Sequence, residues 1–173
     1  MFKSLNNNSQ EDKLYNNILS LSRNKLFFTK FALDDTFQNR IYLMFMHISF
    51  LFNKTKQSSQ KEMYKDFFQK SFDLTFKKIE LNMREIGYGD TIINKNMKFL
   101  VKTFYNILLD SENFTKKSLK DKKTFFYKYL KVNNTMKTED KISIIEYFDK
   151  YQAFCFDLSL DSVLKGNLNF MYK

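Results

Sequence analysis

The chain is predicted to be an all-α, single-domain helical bundle of about six or seven helices. Three observations point there. The 173 residues include no Pro and only 3 Gly, so helices meet few breakers. Apolar residues recur at three- and four-residue spacing along most of the chain. The 21 Phe and 10 Tyr, with no Trp, call for a folded core to take them out of water. Aromatic richness alone would lean toward strands, but the scarcity of breakers and the period favour helices. The length fits one domain, and no internal repeat or long linker divides it. The expected organisation is a flexible lead-in at 1–12 rich in Asn, Ser and Gln, a helical domain at 13–166 and a loose tail at 167–173.

Leu14, Ile18 and Leu21 set a first short helix over 12–22, ended by Arg23-Asn24, and Leu26 to Phe31 form an apolar turn or short helix. The clearest core helix spans 35–54, where Phe37, Ile41, Met44, Phe45, Ile48 and Phe52 make a stripe that Leu43, Met46 and Leu51 widen. Asp34 or Asp35 is expected to cap it. Ser59-Gln60-Lys61-Glu62 has capping-box spacing and opens a long helix ending near Glu85 or Ile86. Met63, Phe67, Leu74 and Leu81 mark one of its faces; Tyr64, Phe68, Phe72, Phe76, Ile79 and Met83 mark the neighbouring one. Gly87-Tyr88-Gly89 can supply the positive φ of a tight helix end, and Asp90 is expected to cap the next helix, 90–109. Ile93, Met97, Leu100, Phe104 and Leu108 carry its apolar face, with Ile92, Val101 and Tyr105 beside them. Helices at about 116–131 and 139–158 follow, the second capped by Thr138 and with Ile142, Ile145, Phe148, Gln152 and Cys155 on one face. Leu160 to Leu164 adds a further turn before Gly166.

Lys and Arg number 29 against 19 Asp and Glu, a formal charge of +10, and only Arg23, Arg40 and Arg84 are arginines. Such a balance favours acidic partners: anionic lipid, RNA or ribosomal surfaces. DNA is not expected. Cys155 is the only cysteine, which excludes an intramolecular disulfide and a cysteine-built metal site. The longest apolar run, Ile41 to Phe52, is 12 residues and too short to span a bilayer. The start of the chain has neither a signal-peptide nor a transit pattern. A cytoplasmic protein, at most peripheral to a membrane, is expected. His47, inside the apolar helix, reads as a buried, hydrogen-bonded histidine rather than a haem or metal ligand, since no ligand array accompanies it. There is no phosphate-binding, dinucleotide or zinc-protease motif, so the chain reads as a non-enzyme without a cofactor.

The central segment, Leu81-Asn82-Met83-Arg84-Glu85-Ile86-Gly87-Tyr88-Gly89-Asp90, continues through Met97-Lys98 to Phe104-Tyr105-Asn106. It resembles the signature of the ubiquinol–cytochrome c chaperone family, on Arg84, Glu85, Gly87, Asp90, Lys95, Met97, Lys98, Phe104 and Tyr105. Upstream, Leu33-Asp34-Asp35-Thr36-Phe37 with Arg40 and His47 is similar to the family's Asp-Thr helix start, so the resemblance covers about 14 to 110. Asn106 departs from a glycine that often follows the Phe-Tyr pair. The resemblance implies a helical assembly factor that binds newly made cytochrome b and assists its maturation into the bc1 complex. A small co-chaperone, the ribosome and an anionic membrane surface are the further partners considered, with the cytoplasmic face of the inner membrane as the place.

The residues themselves leave two readings of this group. Arg84, at the end of one helix, can bridge to Asp90 at the start of the next and set the hairpin angle, or the group can contact a client. Glu85 at a helix C-terminus is disfavoured by the dipole, which hints at a basic partner. Lys95, Lys98 and Lys102 share one helix face, either merely solvated or meeting acidic groups. From Lys116 to Lys141, lysines interleave with Phe125, Phe126, Tyr127 and Tyr129, read as core rings with solvated lysines or as a lipid or RNA surface. A basic RNA- or ribosome-binding module and a scaffold of a membrane complex stay open as alternatives.

Overall fold

A computed structural model of the chain describes residues 9–133 and 138–173, with all their side chains except those of 138–142. Eight α-helices follow in order: α1 (Gln10–Ser22), α2 (Leu26–Thr29), α3 (Phe37–Lys56), α4 (Lys61–Ile86), α5 (Asp90–Asp110), α6 (Leu119–Tyr129), α7 (Thr138–Asp157) and α8 (Leu160–Leu164), with a 3₁₀ turn at Phe114–Lys116. Two of them, α2 and α8, are only four and five residues long. The six longer helices make the single-domain bundle the periodicity predicts. The one strand-like pairing among the described residues is an antiparallel bridge between Leu33 and Val132.

Helix α3 is the axis. Fifteen of its 20 residues are buried, which is what a stripe widened on both sides dictates. It packs against α1, α4, α5 and α7. Its rings face two ways. Phe45 meets Phe76 of α4 at 5.4 Å and Phe104 of α5 at 5.3 Å, while Phe50 meets Phe114 at 5.0 Å and Phe148 of α7 at 5.3 Å. These are stacked and edge-to-face pairs, which add directionality to plain burial.

Long-range polar clamps fix the bundle's ends. Asn39 is fully buried; its amide donates to the carbonyls of Asp34 (2.8 Å) and Lys131 (2.7 Å), and its oxygen accepts from the Lys131 amide (2.9 Å), holding the single bridge onto α3. Lys54 donates to the carbonyl of Phe156 at 3.2 Å and to that of Leu158, a cation at the negative end of α7. Beyond Gly166 the chain carries no helix, yet Leu168 is buried and Phe170 and Tyr172 pack on Tyr147 at 5.4 and 5.2 Å. The expected loose tail is therefore a packed one.

Several expected caps differ. Thr36, not Asp34 or Asp35, caps α3, accepting from the Asn39 amide at 3.2 Å, because Asp35 is engaged by Arg40. The Ser59 box does not form: Gln60 holds the N-cap position of α4 without a side-chain bond. At α5 the cap position is Gly89, and Asp90 is the first helical residue. The Thr138 cap falls on a side chain outside the described ones. On α4 the buried face is Tyr64, Phe67, Ser71, Thr75, Phe76, Ile79 and Met83, whereas Met63 and Leu81 are exposed. The Ser71 and Thr75 hydroxyls enter that face by donating to the carbonyls of Phe67 and Ser71, both at 2.8 Å.

Candidate docking site at the helical corner

The corner between α4 and α5 is closed by backbone geometry. Gly87 takes φ +99°, its amide donates to the Arg84 carbonyl at 3.0 Å, and the Tyr88 amide donates to that of Met83 at 3.1 Å. This is the Schellman pattern, in which the residue past the helix end is left-handed. Gly87 alone needs glycine's freedom; Gly89 sits at φ −73°. Across the turn, the Arg84 guanidinium reaches the Asp90 carboxylate at 2.5 Å and Glu80 at 2.8 Å, a fork between two acids. Those hydrogen bonds, with Glu80 first and Asp90 second, raise the guanidinium pKa further. Glu85 stands exposed and has no ion pair among the described residues, so none of them is the basic partner its position hints at.

Helix α5 splits the remaining site residues between two environments. Phe104 is buried between Phe45, Phe72 and Phe76, and Met97 is partly buried against the core. Lys95, Lys98 and Tyr105 are exposed, and Tyr105 leans on Phe72 at 5.9 Å. Lys95, Lys98 and Lys102 carry no ion pair among the described residues.

The corner also borders a cleft of about 200 Å³ lined by Phe37, Gln38, Ile41 and Tyr42 of α3, Met83 and Tyr88 of the corner, and Asn96, Phe99 and Leu100 of α5. Phe37, expected in the core stripe, lies at its edge and is 38% exposed, with Tyr88 at 42% and Phe99 at 57%. Ile86 and Ile92 add 60% and 52% exposed side chains to the same corner segment. A lone exposed apolar residue is ordinary, but several rings around one cleft make a candidate interaction surface. Sequence reasoning missed Phe99 and this use of Phe37. The available signal was the i, i+3, i+7 spacing of Ile92, Lys95 and Phe99, an apolar–basic row off the buried face of α5.

The upstream residues are not joined to the corner. Arg40 pairs with Asp35 at 2.7 Å and lies over the Phe28 ring at 5.0 Å, and the guanidinium hydrogen bond holds the Asp35 carboxyl below its usual range. His47 is sealed in the core between α3 and α7. Its Nδ1 donates to the Leu43 carbonyl at 2.6 Å and its Nε2 accepts from the Tyr147 hydroxyl at 2.8 Å, which together select the Nδ1–H tautomer. Burial, partly opposed by the Leu43 hydrogen bond, lowers its pKa from 6.5 to about 4. Both ring nitrogens are therefore engaged in the core. Burial likewise pushes the Cys155 thiol up to about 12, a structural and unreactive cysteine. No group of three or more His, Cys, Asp or Glu residues able to hold a metal occurs among the described residues.

The site is thus an open cleft at the corner of a helical bundle, bordered by exposed rings and by charged side chains without ion pairs among the described residues. A profile of the ubiquinol–cytochrome c chaperone family matches residues 29–123, more than half of the chain and all of the corner. The chain belongs to that family, a class of chaperones and not of enzymes. Among solved structures it is similar to that of the Cbp3 homolog from Brucella abortus, with a TM-score of 0.75 at 18% identity, covering 94% of this chain and 89% of that one. That likeness shows the shared fold. No curated protein matches the chain in sequence.

Proposed function

We propose that the chain binds newly made cytochrome b and holds it through its maturation into the bc1 complex, seating an apolar segment of the client in the cleft beside the α4–α5 corner. The observation that carries this reading is the ring of exposed Phe37, Tyr88 and Phe99 around a preformed cleft. A membrane protein caught before assembly offers the apolar side chains that such a cleft desolvates. Lys95, Lys98 and Lys102 supply cationic groups for acidic loop residues of the client, and Glu85 an acid for a basic one. Arg84 and Asp90 hold the two helices so that these groups form one surface. The chain acts as a peripheral protein on the cytoplasmic face of the inner membrane; no described helix is long and apolar enough to cross one.

Affinity capture tests the reading. Wild-type protein retains cytochrome b, and Phe99→Ser lowers the captured amount about tenfold, the effect of losing one buried ring, with the melting temperature unchanged. Deleting the gene lowers assembled bc1 complex. Normal bc1 levels in the deletion, or undiminished capture by the variant, would overturn the proposal.

A further inference from the structure

We propose that the outward face of α6 docks on an anionic lipid surface. The aromatic–lysine segment divides by burial, with Tyr127 the one ring left exposed, at 37%. Phe125, Phe126 and Tyr129 are 5%, 3% and 9% exposed, and Phe126 packs on Phe114 at 5.8 Å and on Phe148 at 5.1 Å. What faces outward is different in kind. Leu119, in the first turn of α6, is 51% exposed, and Lys120 and Lys123 lie within one turn of it. Lys116 precedes this face and Lys131 follows it, both exposed.

Pairing separates these lysines from their neighbours. Lys122 is held by Asp149 at 2.7 Å and Lys128 by Asp110 at 2.7 Å. Lys116, Lys120, Lys123 and Lys131 form no ion pair among the described residues. The acid of the first turn, Asp121, is occupied at the N-terminus of α6 by the Ser118 hydroxyl at 2.7 Å. The result is a cationic face around one aliphatic anchor. Such a face complements a layer of negative headgroups over hydrocarbon: the lysine stems lie along the interface with their ammonium groups among phosphates, and leucine enters below them.

RNA is the competing ligand for basic, aromatic-rich segments, but it needs rings on which bases stack and is favoured by guanidinium forks. Here Tyr127 is the one exposed ring among Phe125, Phe126, Tyr127 and Tyr129, which gives no run of stacking platforms, and no arginine lies between Arg84 and the C-terminus. The inference rests on the reading of the chain as peripheral to a membrane, and is independent of which client the corner holds.

Flotation of the full chain with phosphatidylcholine vesicles, with and without phosphatidylglycerol, tests it. Binding is expected only with phosphatidylglycerol and is expected to fall with added salt. At roughly 1 kcal/mol per lysine near a charged surface, Lys120→Gln combined with Lys123→Gln lowers the partition coefficient about 30-fold. Leu119→Ser lowers it about tenfold, and Lys120→Arg with Lys123→Arg retains it. Leu119 and Lys120 are exposed, and Lys123 is half-buried without an ion pair among the described residues, so melting is little changed, and capture of cytochrome b in detergent is unchanged; that arm separates failure of lipid docking from failure of the client reading. Equal binding to neutral vesicles, or glutamine variants that float like wild type, overturns the proposal. So does retention on uridine-rich RNA without flotation, which would assign the face to RNA.

Discussion

Two helices of nearly equal length meet water in opposite ways. Fifteen of the 20 residues of α3 are buried, against six of the 21 of α5. Within α3 the polar side chains Asn39 and His47 turn inward and bond to distant backbone or to another helix. On α5 apolar side chains such as Ile92, Phe99 and Leu109 turn outward, at 52%, 57% and 60% exposure. Each departs from the ordinary inside–outside rule, in opposite directions. A buried polar group is tolerated because it is bonded, and it makes the fold specific. A cluster of exposed apolar groups adds little to the isolated fold, and under the proposed function it serves a partner. Helix α3 is spent on stability, and on that reading α5 is kept available.

The sharpest way to break this contrast uses two glycines, both at positive φ. At Gly166, φ +66°, a Cβ would lie 2.7 Å from the Gln10 carbonyl oxygen and from the Leu14 amide nitrogen, backbone atoms of α1 that have no rotamer to yield. At Gly87, φ +99°, it would meet nothing within 4 Å. Gly166→Ala is expected to cost about 3 kcal/mol or more and to lower the melting temperature by roughly 10 °C. Gly87→Ala costs about 1–2 kcal/mol, the left-handed backbone penalty alone. Thermal melts read both, and equal losses would show that the corner is packed as tightly as the C-terminal seam.

The next effect is a pH dependence confined to the core. The folded chain keeps His47 neutral down to about pH 4, while the unfolded chain protonates it near its ordinary 6.5. Between those values the unfolded state binds more protons, so stability is complete above the upper one and falls as pH drops. The loss reaches about 2 kcal/mol by about pH 5 and about 3 kcal/mol in full. His47→Leu removes that limb, leaving the carboxylates to set the remainder. Urea midpoints should therefore show the gap between wild type and variant shrinking on acidification, and a constant gap would refute the buried neutral imidazole. A smaller loss follows for Asn39→Ala, about 2 kcal/mol by the same measurement, since it strands the Lys131 carbonyl and amide that hold the Leu33–Val132 bridge.

The contrast also explains which features could be read without coordinates. The period of α3 named its inward face, and Gly87 between two apolar-periodic runs named the corner, because both are local signals. Asn39 was silent: its partner Lys131 lies 92 residues away in sequence, and no spacing reports a contact that only the tertiary fold creates. Caps failed by one residue where two adjacent side chains compete, as when Arg40 draws Asp35 away and leaves Thr36 to serve. The cleft was invisible for a third reason. A helical period says which side chains point toward the bundle, not where its cover ends, and Phe37, the first residue of α3, lies on the predicted stripe yet is 38% exposed at the edge of the cleft.

The smallest expected change in stability comes with a specific change in binding. Arg84 is exposed, and its two carboxylate contacts are screened by water, so Arg84→Ala leaves melting essentially unchanged. Its proposed work is geometric: one guanidinium spans Glu80, on α4, and Asp90, on α5, and thereby fixes how the two helices present Tyr88 and Phe99. Arg84→Ala is then expected to weaken capture of cytochrome b severalfold. Arg84→Lys should recover only part of it, because an ammonium group is a point charge where the two acids meet a planar fork. A parallel fall of melting and capture would make Arg84 a stabilising residue only. Full recovery by lysine would reduce its role to charge, leaving the angle of the corner to Gly87.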